Sequence, residues 1–305
     1  PAPTEPTTEA TTTTPAPTEP VNVFVVGDST GCDYADTEDT SYFYKRVGFG
    51  TMLKDYFADS ATIVNLALSG RSSKSFATGI NENGAVDAIA QENYAKLKSD
   101  IKAGDYLIIA FGHNDEKTDA YRGTTPATTP GDYTQEGSFE KSLYDNYIKV
   151  ALDAGATPIL CTSTVRRQET VNTTTKEIVW SNNDLHITAA GDYPAAVKAL
   201  ADKLGLEVID NLTNTKSLYE TLTPGTKATS KEVGATGAAA LHAAGVEMAV
   251  DNTHLNKYGA SYVASMMARD IKANAKLADL AAYVTSTEAP KAEDAHAMSL
   301  NANWT

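Results

Sequence analysis

The sequence is poor in cysteine, in basic residues and in long apolar runs, and each shortage argues against a class of protein. Two cysteines, Cys32 and Cys161, are too few for a disulfide framework, and without a Cys-x-x-Cys pair they cannot form a zinc ribbon or finger. The 39 acidic residues outnumber the 25 basic ones, and the net charge of −14 without a basic run argues against nucleic-acid binding. No stretch of about 18 apolar residues occurs, so we expect no membrane-spanning helix.

The overall composition is that of an ordinary globular protein, with 42% hydrophobic and 21% charged residues in a chain of 305. Residues 1–20 differ from it, because they contain only Pro, Thr, Glu and Ala. A segment without large apolar side chains cannot offset the entropy lost on ordering, which predicts an extended linker. Such linkers are frequent between modules of secreted polysaccharide-degrading proteins, so we expect other modules to be joined through it. A disordered terminus of no consequence is the alternative.

From residue 21 onward, short apolar runs alternate with helical patterns. The runs are almost continuously apolar, as buried parallel strands are, and they cover 21–26, 61–67, 105–111, 157–161 and 206–209. Between the runs, apolar residues recur at helical spacing, for example Phe139, Leu143, Tyr147 and Val150. The alternation predicts one α/β domain over 21–275 with a doubly wound parallel sheet of five strands. Residues 276–305 lose the pattern and are predicted to be a C-terminal tail or linker.

Polar or glycine-containing clusters follow the first three predicted strands and precede the last predicted helix. They read GDST at 27–30, SGRSS at 69–73, GHND at 112–115 and DNTH at 251–254. In open α/β sheets, sites form at the carboxyl ends of the strands, so we expect these clusters to meet there. The sequence therefore predicts one site assembled from distant parts of the chain.

The residue types in these clusters fit a serine hydrolase. A serine hydroxyl needs a base to become a nucleophile, and the base needs an acceptor that orients it. Ser29 is the candidate nucleophile, His254 the candidate base, and Asp251, three residues earlier, the candidate acceptor. The oxyanion of a tetrahedral intermediate needs several donors. The backbone N–H groups of Ser29 and Gly70 and the side-chain amide of Asn114 are the candidates for this oxyanion hole.

These four clusters, in this order, resemble the SGNH (GDSL-like) hydrolase superfamily, whose four letters would be Ser29, Gly70, Asn114 and His254. Further stretches are similar to the rhamnogalacturonan acetylesterase branch, carbohydrate esterase family 12. They are NLALSGRSSKSF at 65–76, TSTVRR at 162–167, GDYPAAVKALADKLGLEVID at 191–210 and HLNKYGA at 254–260. The resemblance implies a three-layer α/β/α sandwich with a flavodoxin-like five-stranded sheet. It also implies a serine esterase that needs no metal or organic cofactor.

The resemblance makes acetylated rhamnogalacturonan, a pectin, the expected substrate, with acetylated xylan as the alternative. From the charge and the lack of long apolar runs, we expect neither nucleic acid nor a membrane as a partner. The polymeric substrate and the linker together imply a secreted, extracellular protein. Because the chain is acidic and pectin is a galacturonate polymer, we expect Arg71, Arg166 and Arg167 to pair with its carboxylates. Ordinary ion pairs within the protein are the alternative for these arginines. Residues 168–190 depart from the family pattern and are predicted to form a loop that shapes the cleft.

The sequence leaves two alternative classes of function. A metal-dependent deacetylase would use Asp115, Asp251, His113 and His254, although no His-x-x-x-His or comparable spacing supports it. A non-catalytic carbohydrate-binding module is compatible with the linker and the 15 tyrosines, but it would leave the Ser–His–Asp pattern unexplained.

Several residues near the clusters receive structural predictions. Asp28 is expected to hold neighbouring loop amides, His113 to brace a loop, and Ser72 with Ser73 to cap a short helix. The two cysteines follow different predicted strands, which favours free thiols over one disulfide. The sequence assigns no role to His186, His242 and His296.

Overall fold

The computed structural model describes residues 15–34, 44–171, 177–221, 227–229 and 250–300. Its strands are β1 (Val21–Gly27), β2 (Ala61–Asn65), β3 (Tyr106–Ala110), β4 (Thr157–Cys161), β5 (Arg166–Val171), β6 (Glu177–Asp184), β7 (Ile187–Thr188), β8 (Gly191–Asp192), β9 (Glu207–Ile209) and β10 (Lys227–Thr229). Its helices are α1 (Phe49–Met52), α2 (Ser73–Thr78), α3 (Ala88–Asp100), α4 (Phe139–Leu143), α5 (Lys149–Ala154), α6 (Tyr193–Leu204), α7 (Asn211–Thr221), α8 (Lys257–Ala273), α9 (Ala278–Ala281) and α10 (Ala295–Ser299). A π-helical turn, Tyr144–Ile148, joins α4 to α5.

Five parallel strands form the central sheet, in the order β2-β1-β3-β4-β9. Val23 of β1 lies opposite Ile63 of β2 and Tyr106 of β3, so β1 is paired on both sides. The sheet order is that of flavodoxin-like sheets, in which the chain changes direction across the sheet between its first and third strands. At that point the carboxyl ends of β1 and β3 border a natural crevice. The predicted five-stranded parallel sheet is confirmed.

Each face of the sheet is covered by helices. Along β1 the side chains alternate between the two faces, as they must in a strand. Val23 and Val25 belong to the cluster formed with α1 and α8, whereas Phe24 and Val26 belong to the cluster formed with α2 to α6. The largest fully buried side chains come from both clusters, among them Phe49 of α1 and Tyr193 of α6. The predicted three-layer α/β/α sandwich is therefore confirmed.

The segment 168–190, predicted to be a loop, contains strands in the structure. β5 and β6 pair antiparallel, and β10 pairs with the other edge of β6. The register shifts between Arg167 and Glu169. The loop prediction was wrong because the segment is polar and lacks the alternating apolar pattern that indicates a strand. Antiparallel pairing satisfies the backbone of such a segment without requiring that pattern.

The packed part of the chain extends beyond residue 275, where the predicted tail begins. Leu277 and Leu280 are buried in the cluster that includes α8, and Val284 pairs with Phe57 in an isolated bridge. The prediction of a tail or linker is therefore wrong for residues 277–284. Four or five apolar residues on two short turns are too few to give a periodic signal in the sequence.

The predicted linker lies mostly outside the described residues. Its last residues contact the domain, because the hydroxyl of Ser60 donates to the carbonyl oxygen of Pro17 at 2.6 Å and that of Tyr283 to the carbonyl of Glu19 at 2.9 Å. Residues 1–14 are not described, so the linker stays a prediction. Among the described helices, none has the length and apolar character needed to cross a membrane.

Candidate active site

A tight turn directly after β1 carries Ser29. Asp28 Oδ1 accepts hydrogen bonds from the backbone N–H of Thr30 at 2.9 Å and from its hydroxyl at 2.8 Å. Gly27 lies so close to β3 that a Cβ at this position would stand 2.6 Å from the carbonyl oxygen of Ala110. The turn is therefore fixed from within by the Asp28 carboxylate and from outside by the neighbouring strand. The prediction that Asp28 holds neighbouring loop amides is confirmed.

His254 lies between Ser29 and Asp251. Its Nε2 is 3.0 Å from the Oγ of Ser29, and its Nδ1 is 2.7 Å from Oδ2 of Asp251. The other oxygen of Asp251, Oδ1, accepts the backbone N–H groups of Thr253 at 2.8 Å and of His254 at 2.7 Å. The structure thus brings Ser29 together with Asp251 and His254, which lie more than 200 residues later in the chain, and the loop's own backbone holds the carboxylate.

The surroundings of Asp251 favour its ionised form. Burial alone would raise the pKa of this carboxyl, but the hydrogen bonds and charge of His254, with the backbone N–H groups, lower the pKa overall. An ionised Asp251 accepts the Nδ1–H of a neutral imidazole, which leaves Nε2 of His254 without a proton. Nε2 therefore faces the hydroxyl of Ser29 as an acceptor, which is the arrangement that general-base catalysis requires.

Gly70 occupies a turn that follows β2, next to β1 in the sheet. Its φ of +74° lies in the left-handed region that favours glycine, and the N–H of Arg71 closes the turn on the carbonyl of Leu68 at 3.3 Å. A Cβ at Gly70 would meet no atom within 4 Å, so this side of its backbone faces open space. A ligand at the end of β1 has room to approach this backbone.

Asn114 follows β3 on the other side of β1, and its side-chain amide is held at both ends. Nδ2 donates to the carbonyl oxygen of Arg71 at 3.1 Å, and Oδ1 accepts from Arg122 Nη1 at 3.4 Å. The first contact connects Asn114 to the residue after Gly70. Since an amide nitrogen carries two hydrogens, one N–H of Asn114 is left for a further acceptor. The structure therefore places Gly70 and Asn114, two of the three predicted oxyanion donors, on adjoining loops that flank the third, Ser29.

The three arginines predicted to meet a substrate are engaged within the protein. Arg71 is only 6% exposed, and its guanidinium pairs with Glu82 at 2.7 Å and Asp87 at 3.2 Å. Arg167 is 5% exposed, and its backbone N–H donates to the carbonyl of Asn252 at 2.9 Å. Both side chains are buried, and Arg71 forms the internal ion pairs that were the alternative for it. Contact of Arg71 and Arg167 with a substrate stays a prediction.

Arg166 likewise pairs within the protein, and it connects the loop after β3 to the loop that carries His254. Its guanidinium forms a salt bridge with Glu116, donates from Nε to the hydroxyl of Thr253 at 3.2 Å, and donates from Nη2 to the carbonyl oxygen of His113 at 3.0 Å. Thr253 stands directly before His254 in the chain. Arg166 is therefore a brace beneath the site, and its pairing with substrate carboxylates stays a prediction.

His186, to which the sequence assigned no role, completes this brace. It is fully buried with a φ of +58°, its Nε2 lies 2.7 Å from the carbonyl oxygen of Thr164, and its Nδ1 lies 3.1 Å from Oε2 of Glu116. Its ring meets the ring of His113 edge to face at a centroid distance of 4.5 Å. Partners that lie 22 to 73 residues away leave no local signal, so no pattern in the sequence could have found this role.

Residues 23–267 match the model of the GDSL-like lipase/acylhydrolase family. The chain belongs to this family. It is 33% identical over 254 residues to the rhamnogalacturonan acetylesterase RhgT of Bacillus subtilis, covering 83% of this chain and 90% of that protein. It is 26% identical over 252 residues to the probable rhamnogalacturonan acetylesterase YesY of the same organism, covering 82% and 92%. The predicted superfamily is confirmed, and with it the prediction of an ester hydrolase.

Two solved structures superpose on most of this chain. The protein YxiM of Bacillus subtilis superposes with a TM-score of 0.52 at 22% identity, covering 84% of this chain and 57% of that one. A possible lipase from Chitinophaga pinensis gives a TM-score of 0.52 at 15% identity, covering 83% and 98%. At such identities the likeness concerns the fold alone.

In this GDSL-family chain, His113 braces the turn of Ser29, as predicted. Its Nδ1 lies 3.1 Å from Oδ2 of Asp28. Burial lowers the pKa of His113 to about 4, whereas the charge and hydrogen bonds of His113 and Thr30 outweigh burial and lower the pKa of Asp28 to about 2. At neutral pH a neutral His113 therefore donates Nδ1–H to the Asp28 carboxylate, which keeps that carboxylate in place behind Ser29.

The residues of the metal alternative have other partners. Asp115 is buried and accepts the backbone N–H of Ser73 and the hydroxyl of Thr124 at 3.2 Å, and burial raises its pKa to about 7. His113 and Asp251 are engaged as described above. Within the described ranges, no group of three or more His, Cys, Asp or Glu side chains is arranged to hold a metal ion.

The structure also bears on the predictions made for Ser72 and for the two cysteines. Ser72 accepts the N–H of Ser75 at 3.1 Å as the N-cap of α2, in a reciprocal capping box, so the predicted cap is confirmed. Cys32 and Cys161 are buried free thiols. Burial raises the pKa of Cys32 to about 11, which keeps this thiol protonated beside the turn of Ser29. His242 lies outside the described residues.

Proposed function

We propose that this chain is a serine esterase that removes O-acetyl groups from plant cell-wall polysaccharide, with acetylated rhamnogalacturonan as its main substrate. One observation carries the proposal. His254 lies 3.0 Å from the hydroxyl of Ser29 and 2.7 Å from the carboxylate of Asp251 in a chain that is 33% identical to a rhamnogalacturonan acetylesterase over 83% of its length. The family supports ester hydrolysis, and the named relatives support an acetylated carbohydrate.

The first half of the reaction acetylates the enzyme. His254 Nε2 takes the proton of Ser29 Oγ as that oxygen attacks the acetyl carbonyl carbon. The imidazolium that forms is stabilised by Asp251, whose lowered pKa keeps it ionised. When the tetrahedral intermediate collapses, the bond to the sugar oxygen breaks and His254 returns the proton to that oxygen. The sugar leaves as an alcohol, and the acetyl group stays on Ser29.

The second half restores the enzyme. Water takes the place of the sugar alcohol, His254 Nε2 accepts one of its protons, and the resulting hydroxide attacks the acetyl carbonyl carbon. Collapse of the second tetrahedral intermediate breaks the bond to Ser29 Oγ, which regains its proton from His254. The products are acetate and the free serine. No cofactor enters any of these steps.

In both halves the negative charge develops on the carbonyl oxygen of the acetyl group. The backbone N–H groups of Ser29 and Gly70 and the free N–H of Asn114 are the proposed donors to this oxyanion. Arg71 supports the arrangement indirectly, because its carbonyl oxygen fixes the Asn114 amide. Fixed donors need no reorganisation when the charge develops, so they lower the barrier more than water would.

An extracellular protein that acts on plant polysaccharide is part of the same proposal. The Pro- and Thr-rich residues 1–20 support it, since such segments join the modules of secreted polysaccharide-degrading proteins. Fractionation of the native source tests it, because recovery from the culture fluid is expected and recovery only from the cytosol would contradict it.

The test of substrate is acetate release from acetylated rhamnogalacturonan and from acetylated xylan, measured side by side. We expect faster release from rhamnogalacturonan, and at least a thousandfold loss with Ser29→Ala. Ser99→Ala is the matched control, because Ser99 is an exposed residue of α3, and it should keep full activity. Faster release from xylan would replace the substrate, whereas full activity of Ser29→Ala would overturn the serine mechanism. No ester hydrolysis at all would favour the non-catalytic binding module.

A further inference from the structure

A cleft of about 390 Å³ lies beside the loop that carries Ser29. Among the described residues, those that line it with a charge are the basic Lys45, Arg46, Lys54 and Lys257 and the acidic Asp33 and Asp55. We call it the basic cleft. The excess of positive charge is opposite in sign to the net charge of the chain, which is −14. A local positive region on an acidic protein raises the local concentration of anions at that place alone.

One wall of the basic cleft is attached to the loop of Ser29. Tyr34 lines the cleft, and its hydroxyl donates to the carbonyl oxygen of Ser29 at 3.0 Å. The guanidinium of Arg46 lies over the ring of Tyr34, 4.6 Å from its centroid. The backbone N–H of Phe49, just beyond the cleft residues 45–47, donates to the carbonyl of Thr30 at 2.9 Å. The cleft therefore adjoins the loop that carries Ser29.

The basic cleft is also attached to the segment of His254. The backbone N–H of Val47, a lining residue, donates to the carbonyl oxygen of Leu255 at 3.0 Å. Lys257, the first residue of α8, stands three positions after His254 and also lines the cleft. The cleft is thus lined by residues that are hydrogen-bonded to the segments of Ser29 and His254 or follow them closely in the chain, so a polymer bound across the site can extend into it.

Two lysines of the basic cleft, Lys45 and Lys257, differ in their pairing from the arginines near the site. Within the described part of the chain, neither Lys45 nor Lys257 forms a salt bridge, in contrast to Arg71 and Arg166, which are paired with buried or half-buried carboxylates. Lys45 is half-buried and Lys257 is exposed, so both are open to solvent. Their ammonium groups are therefore open to an external carboxylate.

We propose that the basic cleft binds the carboxylates of uronic-acid sugars in the polysaccharide that Ser29 deacetylates. The proposal rests on the function proposed above, because it takes the acetyl ester and the uronate to belong to one polymer. A galacturonate polymer is repelled at long range by an acidic protein, and a local pair of ammonium groups offsets that repulsion beside the site. Ammonium groups on flexible stems suit carboxylates whose positions vary along a polymer.

Two double variants test this proposal. The test variant combines Lys45→Gln with Lys257→Gln, and the control variant combines Lys102→Gln with Lys203→Gln. Both pairs change the net charge by the same amount. Lys102 and Lys203 are exposed and form no salt bridge among the described residues. They stand just before β3 and β9, at the opposite end of the sheet from the site. An effect of overall charge would therefore appear in both pairs, and an effect of the cleft in only one.

Binding of galacturonate oligomers, measured by calorimetry at low salt, tests the cleft directly. We expect the Lys45/Lys257 pair to bind about 5- to 30-fold more weakly than the wild type, and the Lys102/Lys203 pair less than about twofold more weakly. Added salt should remove the difference, because it screens exposed charges. Equal losses in both pairs, or no binding of the oligomer by the wild type, would overturn the proposal.

Ester hydrolysis separates this proposal from the proposed function. For the Lys45/Lys257 pair we expect kcat/KM to fall by the same 5- to 30-fold on acetylated rhamnogalacturonan and to stay unchanged on 4-nitrophenyl acetate, which has no carboxylate. An equal loss on both esters would overturn the subsite, because the variants would then be affecting Ser29 or His254. If the wild type binds galacturonate through these lysines but releases no acetate from the polymer, the proposed function fails and the binding site stands.

Discussion

Arg166→Met is the perturbation that best tests how the structure holds its candidate active site. The side chain of Arg166 is 15% exposed and that of its partner Glu116 is 7% exposed, so the salt bridge between them is buried. The substitution keeps an apolar stem of similar length. It removes the salt bridge and the hydrogen bonds to Thr253 and to the carbonyl oxygen of His113. Glu116 is left as a buried carboxylate without its cationic partner.

Removing one partner of a buried ion pair costs about 3–5 kcal/mol, mainly because the other charge stays buried. We expect about 3 kcal/mol for Arg166→Met, since His186 remains 3.1 Å from Glu116 and compensates in part. Adding Glu116→Gln removes the stranded charge, so the double variant should recover at least about 1 kcal/mol. The value of kcat/KM should fall as well, because Thr253 lies between Asp251 and His254 in the chain.

Urea unfolding at pH 7 of the wild type, both single variants and the double variant measures these energies as one cycle. Arg269→Met is the control, because Arg269 is 54% exposed and pairs with Asp270 at the surface. It should cost less than about 0.5 kcal/mol. A loss below about 1 kcal/mol for Arg166→Met, or a double variant that loses the sum of the single losses, would refute the reasoning.

Three further predictions follow from the same structure. Asn114→Ala should lower kcat on an aryl acetate by about 10²- to 10³-fold, because it removes one oxyanion donor; an unchanged kcat would exclude that role. Burial lowers the pKa of His113 from 6.5 to about 4, so between these pH values the unfolded chain binds a proton that the folded chain does not. The free energy of unfolding that depends on His113 is therefore complete above pH 6.5 and falls as the pH drops towards 4. His113 should account for a loss of about 2 kcal/mol in the free energy of unfolding between pH 7 and pH 5, and urea titrations of His113→Asn should lack that loss. Leu280→Ala should cost about 2–5 kcal/mol and lower Tm, because Leu280 is fully buried beyond the predicted end of the domain; an unchanged Tm would contradict this packing.

The sequence was sufficient to locate the site because the chemistry lies in short clusters at strand ends. Ser29 directly follows β1 and Asn114 follows β3 closely, and parallel pairing of these neighbouring strands forces their carboxyl ends together. His254 and Asp251 stand three residues apart, so one turn of chain sets their mutual geometry. Only the meeting of His254 with Ser29 depends on long-range packing, and the order of the motifs predicted it.

The partners of the charged side chains could not be predicted from the sequence. A guanidinium pairs with whichever carboxylate the fold brings near, and Glu116 lies 50 residues before Arg166. The sequence indicated that positive charge would lie close to the site, but it could not tell a paired arginine from an unpaired lysine. The lysines of the basic cleft went unnoticed for this reason, since nothing in the local pattern distinguishes Lys45 or Lys257 from other surface residues.

Capture of the acetyl-enzyme is the direct test of Ser29 as the nucleophile. The protein is mixed with excess 4-nitrophenyl acetate, quenched in acid within the first turnovers, digested and examined by mass spectrometry. We expect one acetyl group on the peptide that contains Ser29, located on that residue, and none on the same peptide of Ser29→Ala. An acetyl group that forms instead on another residue during turnover, or Ser29→Ala with full hydrolytic activity, would contradict it.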